Sequence, residues 1–224
     1  MEMTAVMTPI TFQTPRHFEN AADWLRALGG IPLERIIFDP WPGTATEADL
    51  LRFIERDKRL CELIDGTLVE KPVGWKEALI ATNLSIELGL HVKLTKCGVV
   101  SGADTTLRMK SSGGIRLPDV SFVSMGRLPK NSEAIPTLAP DLAIEVLSEG
   151  NTTQEMAQKL LEYFQSGTRL AWIIDPRTRR VAIYHAPGEP TGVLDESATL
   201  DGEQVVPGFT MLVADIFHNA NSGE

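Results

Sequence analysis

Two acidic residues lie inside apolar segments of strand length. Asp119 lies in IRLPDVSFV and Glu145 in DLAIEVLS, and both segments are rich in β-branched residues. A stretch with helical character, TTQEMAQKLLEYFQSG, follows directly and carries Lys159. Two carboxylates on neighbouring strands together with a lysine are the groups that a divalent-metal site for phosphodiester hydrolysis needs. The sequence therefore predicts a hydrolytic metal site at these three residues.

Each of the two acids also has a structural interpretation. Asp119 follows Pro118 and could simply begin a strand, with its carboxylate bonded to nearby backbone. Glu145 is harder to explain in this way, because its neighbours are all apolar. An unpaired carboxylate there would cost several kcal/mol or lose its charge, so a metal ion or a buried cation is the natural compensation.

Five sequence blocks in a fixed order carry a resemblance to a known family. They are ELIDGTLVEKP, RLPDVSFVS, PDLAIEVLSEGNT, KLLEYFQSG and LAWIIDPRTRRVAIY. In this order they resemble the restriction endonuclease family called Uma-two, within the PD-(D/E)xK nuclease superfamily, over roughly residues 49–217. The resemblance implies an α/β fold, with a restriction-endonuclease-like mixed β-sheet core flanked by helices. It also implies metal-dependent hydrolysis of DNA by an endonuclease.

The lysine of the superfamily pattern is displaced in this chain. It usually lies two residues beyond the glutamate, where this chain has Leu147. We assign the role to Lys159, because a helix that rises from the end of the Glu145 strand could return a long side chain to the same pocket, and the resemblance of the KLLEY block supports this. The alternative is that Lys159 pairs with Glu155 or Glu162 along one helix face.

Glu62, in CELIDG, corresponds through the resemblance to an acid near the start of the family core. It would complete the metal shell or hold a metal-bound water, whereas the alternative is a charge at a strand edge. A histidine that the family often has near the start of the long helix is replaced here by Trp-Lys-Glu at 75–77, so its role is not transferred. Tyr163 and Trp172 match family positions but are more typical of core aromatics.

The expected site binds one Mg²⁺ or Mn²⁺ through Asp119, Glu145 and the main-chain carbonyl of Val146. Lys159 would orient the attacking water or offset negative charge on the phosphate, which makes Glu62, Asp119, Glu145 and Lys159 the predicted catalytic set. Whether Glu62 recruits a second ion stays open.

Composition limits the class of protein. A chain of 224 residues with 43% hydrophobic and 23% charged residues is typical of a globular protein. We expect an N-terminal arm over 1–43, with an amphipathic piece at 20–28, and a single domain over 44–220. Cys61 and Cys97 lie far apart without CxxC spacing, which argues against a zinc cluster or a disulfide framework. The net charge of −9 argues against a non-specific nucleic-acid coat protein but not against a nuclease, whose bound cations change the local field.

The sequence also gives expectations about location and partners. It shows no secretory signal pattern and no uncharged apolar stretch approaching about 18 residues, so we expect a cytoplasmic protein that does not contact membranes. DNA is the expected substrate. Basic residues that could contact its phosphates, or could simply be solvated surface charges, are Lys58, Arg59, Arg108, Lys110, Arg116, Arg177, Arg179 and Arg180.

Local signals predict the elements of the fold. TEADLLRFIERDKR has a capping threonine at Thr46 and an acidic residue three places on, which predicts a helix. Asp65-Gly66 predicts a hairpin turn. A long amphipathic helix is predicted over 78–92, another helix over 152–165 ending at Gly167, and strands over 98–101, 105–109, 117–123 and 142–147. The expected core face of the long helix is Leu79, Ile80, Leu84, Ile86, Leu88 and Leu90.

Two other functions stay open at this point. The first is a catalytically inert protein of nuclease fold that binds DNA or a protein partner, which the displaced lysine and the acidic charge balance favour. The second is a structural or regulatory homodimer. Its basis is the predicted apolar hairpin LAWIIDP…RRVAIY, which could pair its edge with a second copy. Divalent-metal affinity and turnover distinguish these functions from the enzyme.

Overall fold

The structure is a computed structural model that describes residues 18–72, 74–130 and 133–220. Residues 1–17 of the predicted arm lie outside this description. Within it, the helices are α1 Ala21–Ala27, α2 Glu47–Asp57, α3 Trp75–Thr95, α4 Thr153–Ser166 and α5 Val213–Ile216. The strands are β1 Ile36–Ile37, β2 Cys61–Ile64, β3 Thr67–Glu70, β4 Gly98–Gly102, β5 Leu107–Arg108, β6 Ile115–Arg116, β7 Val120–Ser124, β8 Leu142–Val146, β9 Leu170–Asp175, β10 Arg180–Tyr184, β11 Gly192–Leu194, β12 Thr199–Asp201 and β13 Thr210–Leu212.

The described strands form two main sheets and a small one. The larger sheet has six strands in the order β11-β10-β9-β8-β7-β4, and its β8 and β9 are parallel while the other pairs are antiparallel. A five-stranded sheet has the order β1-β3-β2-β6-β5, and β12 pairs with β13. Helix α4 is the crossover between the parallel strands β8 and β9, as parallel pairing requires. This mixed α/β architecture confirms the fold class expected from the sequence.

Three local predictions are confirmed where the signal lies in neighbouring residues. Thr46 caps α2 in a capping box with Asp49. Asp65 and Gly66 both have positive φ, at 45° and 70°, which is what a two-residue type I′ turn between β2 and β3 requires. Helix α4 ends at Gly167, whose φ of 110° is left-handed and suits a residue without a Cβ.

The predicted core face of α3 is partly wrong. Ile80, Leu84 and Leu88 are fully buried against the six-stranded sheet, but Ile86 and Leu90 are 52% and 53% exposed. Residues four apart share a helix face, whereas a residue two positions away lies about 200° around the axis. The two exposed residues therefore lie on the outer face of the helix.

Residues 18–43 include β1, an edge strand of the five-stranded sheet. Strand β1 pairs with β3, and Leu28, Ile31 and Ile36 form a buried cluster with Ile64 and Val69. This part of the predicted arm thus contributes to a hydrophobic core. The division of the chain into an arm over 1–43 and one domain over 44–220 stays a prediction.

The predicted hairpin of β9 and β10 is confirmed, but the expectation that the outer edge of β10 is unpaired is wrong. Strand β10 pairs with β9 on one side and with β11 on the other. The chain itself therefore covers the edge that a second copy was expected to cover. None of the helices in the described part of the chain is long and apolar enough to cross a membrane.

Candidate active site

A small polar pocket lies where the two main sheets meet below α4, with a cavity volume of about 10 Å³. That is close to the space one water molecule needs. The residues predicted from the sequence all line it: Glu62, Asp119, Glu145, Val146 and Lys159. Five further residues of the lining are Arg35, Lys71, Pro72, Asn151 and Glu155. Strands β2, β7 and β8, the end of β3 and helix α4 thus bring together side chains that are far apart in sequence.

Asp119 immediately precedes β7 and is anchored to the neighbouring strand β8. Its backbone N–H donates to the carbonyl of Ile144 at 3.0 Å. Its Oδ2 accepts a hydrogen bond from the Val146 N–H at 2.7 Å. The carboxylate therefore bonds to nearby backbone, as the structural interpretation required, and it also faces the same pocket as Glu145.

Lys159 reaches from α4 into the pocket and lies between two carboxylates. Its Nζ is 2.9 Å from Oε2 of Glu145 and 3.0 Å from Oε1 of Glu62, and the lysine side chain is 3% exposed. Glu155 and Glu162 on the same helix pair with arginines instead. The alternative in which Lys159 pairs along its own helix face is therefore wrong.

Glu62 is buried in the middle of the five-stranded sheet. Strand β2 lies between β3 and β6, so the interpretation of Glu62 as a strand-edge charge is wrong. Its Oε2 accepts from Arg116 at 2.9 Å and its Oε1 from the Leu117 N–H at 3.0 Å. Burial by itself would raise the pKa of Glu62, but the charges of Lys159 and Arg116 outweigh it and lower this pKa to about 2.

Glu145 has the opposite shift. Its burial raises its pKa above the ordinary value, and the nearby charges of Asp119 and Glu62 add to the rise, while Lys159 opposes it. The hydroxyl of Tyr163 donates to Oε1 of Glu145 at 2.6 Å, so this core aromatic also holds the site carboxylate. One strand thus presents a carboxylate that is desolvated, near other negative charge and fixed in position.

Lys71 is a pocket residue that the sequence analysis missed. It directly follows β3, and its Nζ lies 2.8 Å from Oδ1 of Asp119 while donating to the carbonyl of Leu117. Its side chain is 6% exposed. The sequence gives only a weak indication of this role. Lys71 follows β3, and β3 pairs with β2, the strand that carries Glu62.

Arg35 is a second missed residue and comes from the predicted arm. It is buried and lies 2.8 Å from Oε1 of Glu155, and it donates to the carbonyl of Gly150 at 2.6 Å. Asn151 donates to the same glutamate at 3.1 Å. This group closes one side of the pocket at the start of α4, and no local pattern in the sequence indicates it.

One of the predicted phosphate contacts is wrong. Arg116 is 1% exposed and pairs with Glu62 and Glu162, so it supports the site from inside the protein. Among the other basic residues named for this role, Arg59, Arg108, Arg177 and Arg179 each have a carboxylate partner. Contact of the remaining basic residues with a phosphate stays a prediction.

The donor types of the pocket suit a divalent cation, although ammonium groups hold its carboxylates. Mg²⁺ and Mn²⁺ take oxygen ligands, which Asp119, Glu145 and the Val146 carbonyl supply. The Val146 N–H donates to Oδ2 of Asp119, so Val146 lies beside this acid. In the part of the chain that the structure describes, no three histidine, cysteine or carboxylate side chains form a ready metal-binding group. A cation would have to replace a lysine contact.

The depressed pKa of Glu62 leads to a prediction about stability and pH. Because folding lowers this pKa from 4.5 to about 2, ionised Glu62 stabilises the fold above pH 4.5 and loses this effect as the pH falls toward 2. Glu62→Gln should therefore be much less stable than the parent at pH 6, with a difference that shrinks by on the order of 2 kcal/mol between pH 4.5 and 3. Urea unfolding of both proteins at several pH values measures this, and a constant difference would contradict it.

Comparisons with known proteins agree with this architecture. A family model described as "Putative restriction endonuclease", Uma2, matches residues 47–214. The crystal structure of a putative nuclease belonging to DUF820 from Anabaena variabilis is similar to this chain, with 23% identity and a TM-score of 0.64 over 72% of this chain and 91% of the other. No curated protein matches the chain significantly. The structural likeness shows a nuclease fold, and the family match covers most of the sequence, so the chain belongs to the Uma2 restriction endonuclease family.

Proposed function

We propose that the protein is an endonuclease that hydrolyses phosphodiester bonds in DNA with the help of Mg²⁺ or Mn²⁺. The observation that carries this proposal is the convergence of Glu62, Asp119, Glu145 and Lys159 on one pocket. A group of buried ionisable side chains in a cleft is where perturbed pKa values and hydrolytic chemistry are commonly found. Membership of a restriction endonuclease family supports the same reaction class.

Asp119, Glu145 and the carbonyl of Val146 are the residues that would hold the ion. A bound Mg²⁺ or Mn²⁺ supplies Lewis acidity for the phosphate and a lowered pKa for the attacking water. The Tyr163 hydroxyl keeps Glu145 in one orientation, and the Val146 N–H does the same for Asp119. Both acids are thus held in place before substrate arrives, which is the arrangement that lowers the cost of binding a highly charged group.

Lys159 is the group that would face the reacting phosphate. Its ammonium contacts both Glu62 and Glu145, and although burial disfavours its charge, these carboxylates raise its pKa. A lysine that stays protonated can donate to a phosphate oxygen or offset the charge that develops there. Glu62 then acts as the fixed counter-ion of Lys159, because Arg116 and the Leu117 N–H also hold it.

A second candidate is a protein of nuclease fold that binds DNA or a protein without cutting. One observation favours it: each carboxylate proposed for the ion already has an ammonium partner within 3 Å, Lys71 at Asp119 and Lys159 at Glu145. The homodimer and the cytoplasmic location expected from the sequence stay proposals. A dimer would have to use a surface other than the edge of β10, which β11 covers.

The proposal predicts cleavage that depends on divalent metal. Purified protein incubated with supercoiled plasmid should nick or linearise it in Mn²⁺ or Mg²⁺ and leave it intact with a chelator, because the oxygen ligands of the pocket suit these ions. Parallel incubation with single-stranded DNA tests the preferred form of the substrate. Both products are resolved on agarose and denaturing gels. A protein that binds Mn²⁺ but leaves both DNA forms intact would instead support the non-cutting candidate.

A further inference from the structure

Lys71 pairs with Asp119, one of the acids that would hold the divalent cation. Its Nζ lies 2.8 Å from Oδ1 of Asp119. Lys71 lines the same pocket as Glu62 and Glu145, and its charge acts on both of these carboxyls. A divalent cation held by Asp119 and the ammonium paired with the same carboxylate would repel each other.

The surrounding structure holds the Lys71 side chain in its contact with Asp119. The side chain is almost fully buried, and its Nζ also donates to the carbonyl of Leu117, two residues before Asp119. The backbone of Lys71 is fixed too, because its N–H donates to the carbonyl of Leu60 as the hairpin ends. A surface ion pair would be worth little, but a buried lysine with two partners is held at the acid.

Lys71 changes the net charge of the group of ion pairs around the pocket. Five carboxylates, Glu62, Asp119, Glu145, Glu155 and Glu162, are linked to four basic side chains, Arg35, Lys71, Arg116 and Lys159. The network is thus close to neutral with Lys71 in place. Without this lysine it would have two uncompensated negative charges, which match a divalent cation.

We propose that Lys71 is a resident cation of the pocket, which competes with Mg²⁺ or Mn²⁺ for Asp119 and so weakens metal binding. The inference rests on the proposed function, because it concerns the same metal site. An ion that binds to Asp119 has to compete with the lysine for this carboxylate. Lys71 is therefore a positioning residue that sets metal affinity.

The test measures Mn²⁺ binding directly, independent of activity. Titration calorimetry of Lys71→Met should show Mn²⁺ affinity at least about tenfold tighter than that of the parent, because the competing charge is gone and the acid remains. Lys71→Arg keeps a cation and should bind Mn²⁺ as weakly as the parent. Lys93→Met, which removes an exposed lysine on α3, should also leave the affinity unchanged and controls for net charge.

Lys71→Gln is the second variant if Lys71→Met does not fold, as judged by circular dichroism, because an amide can still donate to the Leu117 carbonyl. The inference would be overturned if the parent and the neutral variant bound Mn²⁺ with equal affinity. It would also be overturned if neither protein bound Mn²⁺. Plasmid cleavage by the parent in the same preparations reports separately on the proposed function. Cleavage together with equal affinities would overturn the role of Lys71 alone.

Discussion

Glu145→Gln should abolish metal-dependent cleavage, with a loss of at least about 10²-fold in rate, the scale expected when one electrostatic group of an active site is removed. The amide keeps the shape of the side chain, and its oxygen can still accept from Lys159 while its NH2 donates to the oxygen of the Tyr163 hydroxyl, but it removes the negative charge that would hold a cation. The rate of plasmid nicking in Mn²⁺, compared with that of the parent under the same conditions, measures the loss.

The fold should tolerate this substitution. Burial opposes the charge of Glu145, as its raised pKa shows, so a neutral amide loses little at neutral pH. Lys159 keeps its contact with Glu62. Urea unfolding should therefore give a free energy of unfolding within about 1 kcal/mol of the parent, which separates a chemical effect from an unfolded protein.

Asp141→Asn is the matched control. Asp141 lies just before Leu142 at the start of β8, is fully buried, and bonds to Arg127, Arg169 and the Ser124 N–H outside the pocket. The same change from carboxylate to amide there should lower stability but leave the cleavage rate of folded protein unchanged. Equal cleavage by Glu145→Gln and the parent would remove Glu145 from the proposed mechanism.

The parts of the fold that sequence could predict are those with signals in adjacent residues. Thr46 and Asp49 form a capping box, and Asp65-Gly66 forms the turn, because both depend on side chains within three positions of each other. The outer face of α3 was predicted less well. Its helix is apolar on several sides, so the spacing of Ile86 and Leu90 does not by itself separate buried from exposed residues.

The site shows the same division. Asp119 and Glu145 are visible in the sequence, because a charge in an apolar strand needs a reason. Lys71 and Arg35 are not visible, because their places depend on contacts between distant segments. Lys71 reaches Asp119 only when β3 and β7 belong to sheets that meet, and Arg35 reaches Glu155 only when the segment before β1 packs against α4. Periodicity and spacing carry no information about such contacts.

Removal of Lys159 should have the largest effect on stability. Lys159→Met keeps much of the volume of the side chain but leaves Glu62 and Glu145 without the ammonium that lies between them. Removing one partner of a buried ion pair costs about 3–5 kcal/mol, so we expect a loss of this size in the free energy of unfolding. Urea unfolding at neutral pH measures it. Lys93→Met, at an exposed position, should change it by no more than about 0.5 kcal/mol.

A double-mutant cycle shows whether charge or packing causes the loss. Adding Glu145→Gln to Lys159→Met removes one of the two carboxylates that the lysine compensates, so the double variant should be more stable than Lys159→Met alone. A packing defect would not be repaired by this change, since the amide fills the same space as the carboxylate. A double variant no more stable than Lys159→Met would therefore contradict the role of Lys159 as the counter-ion of the site.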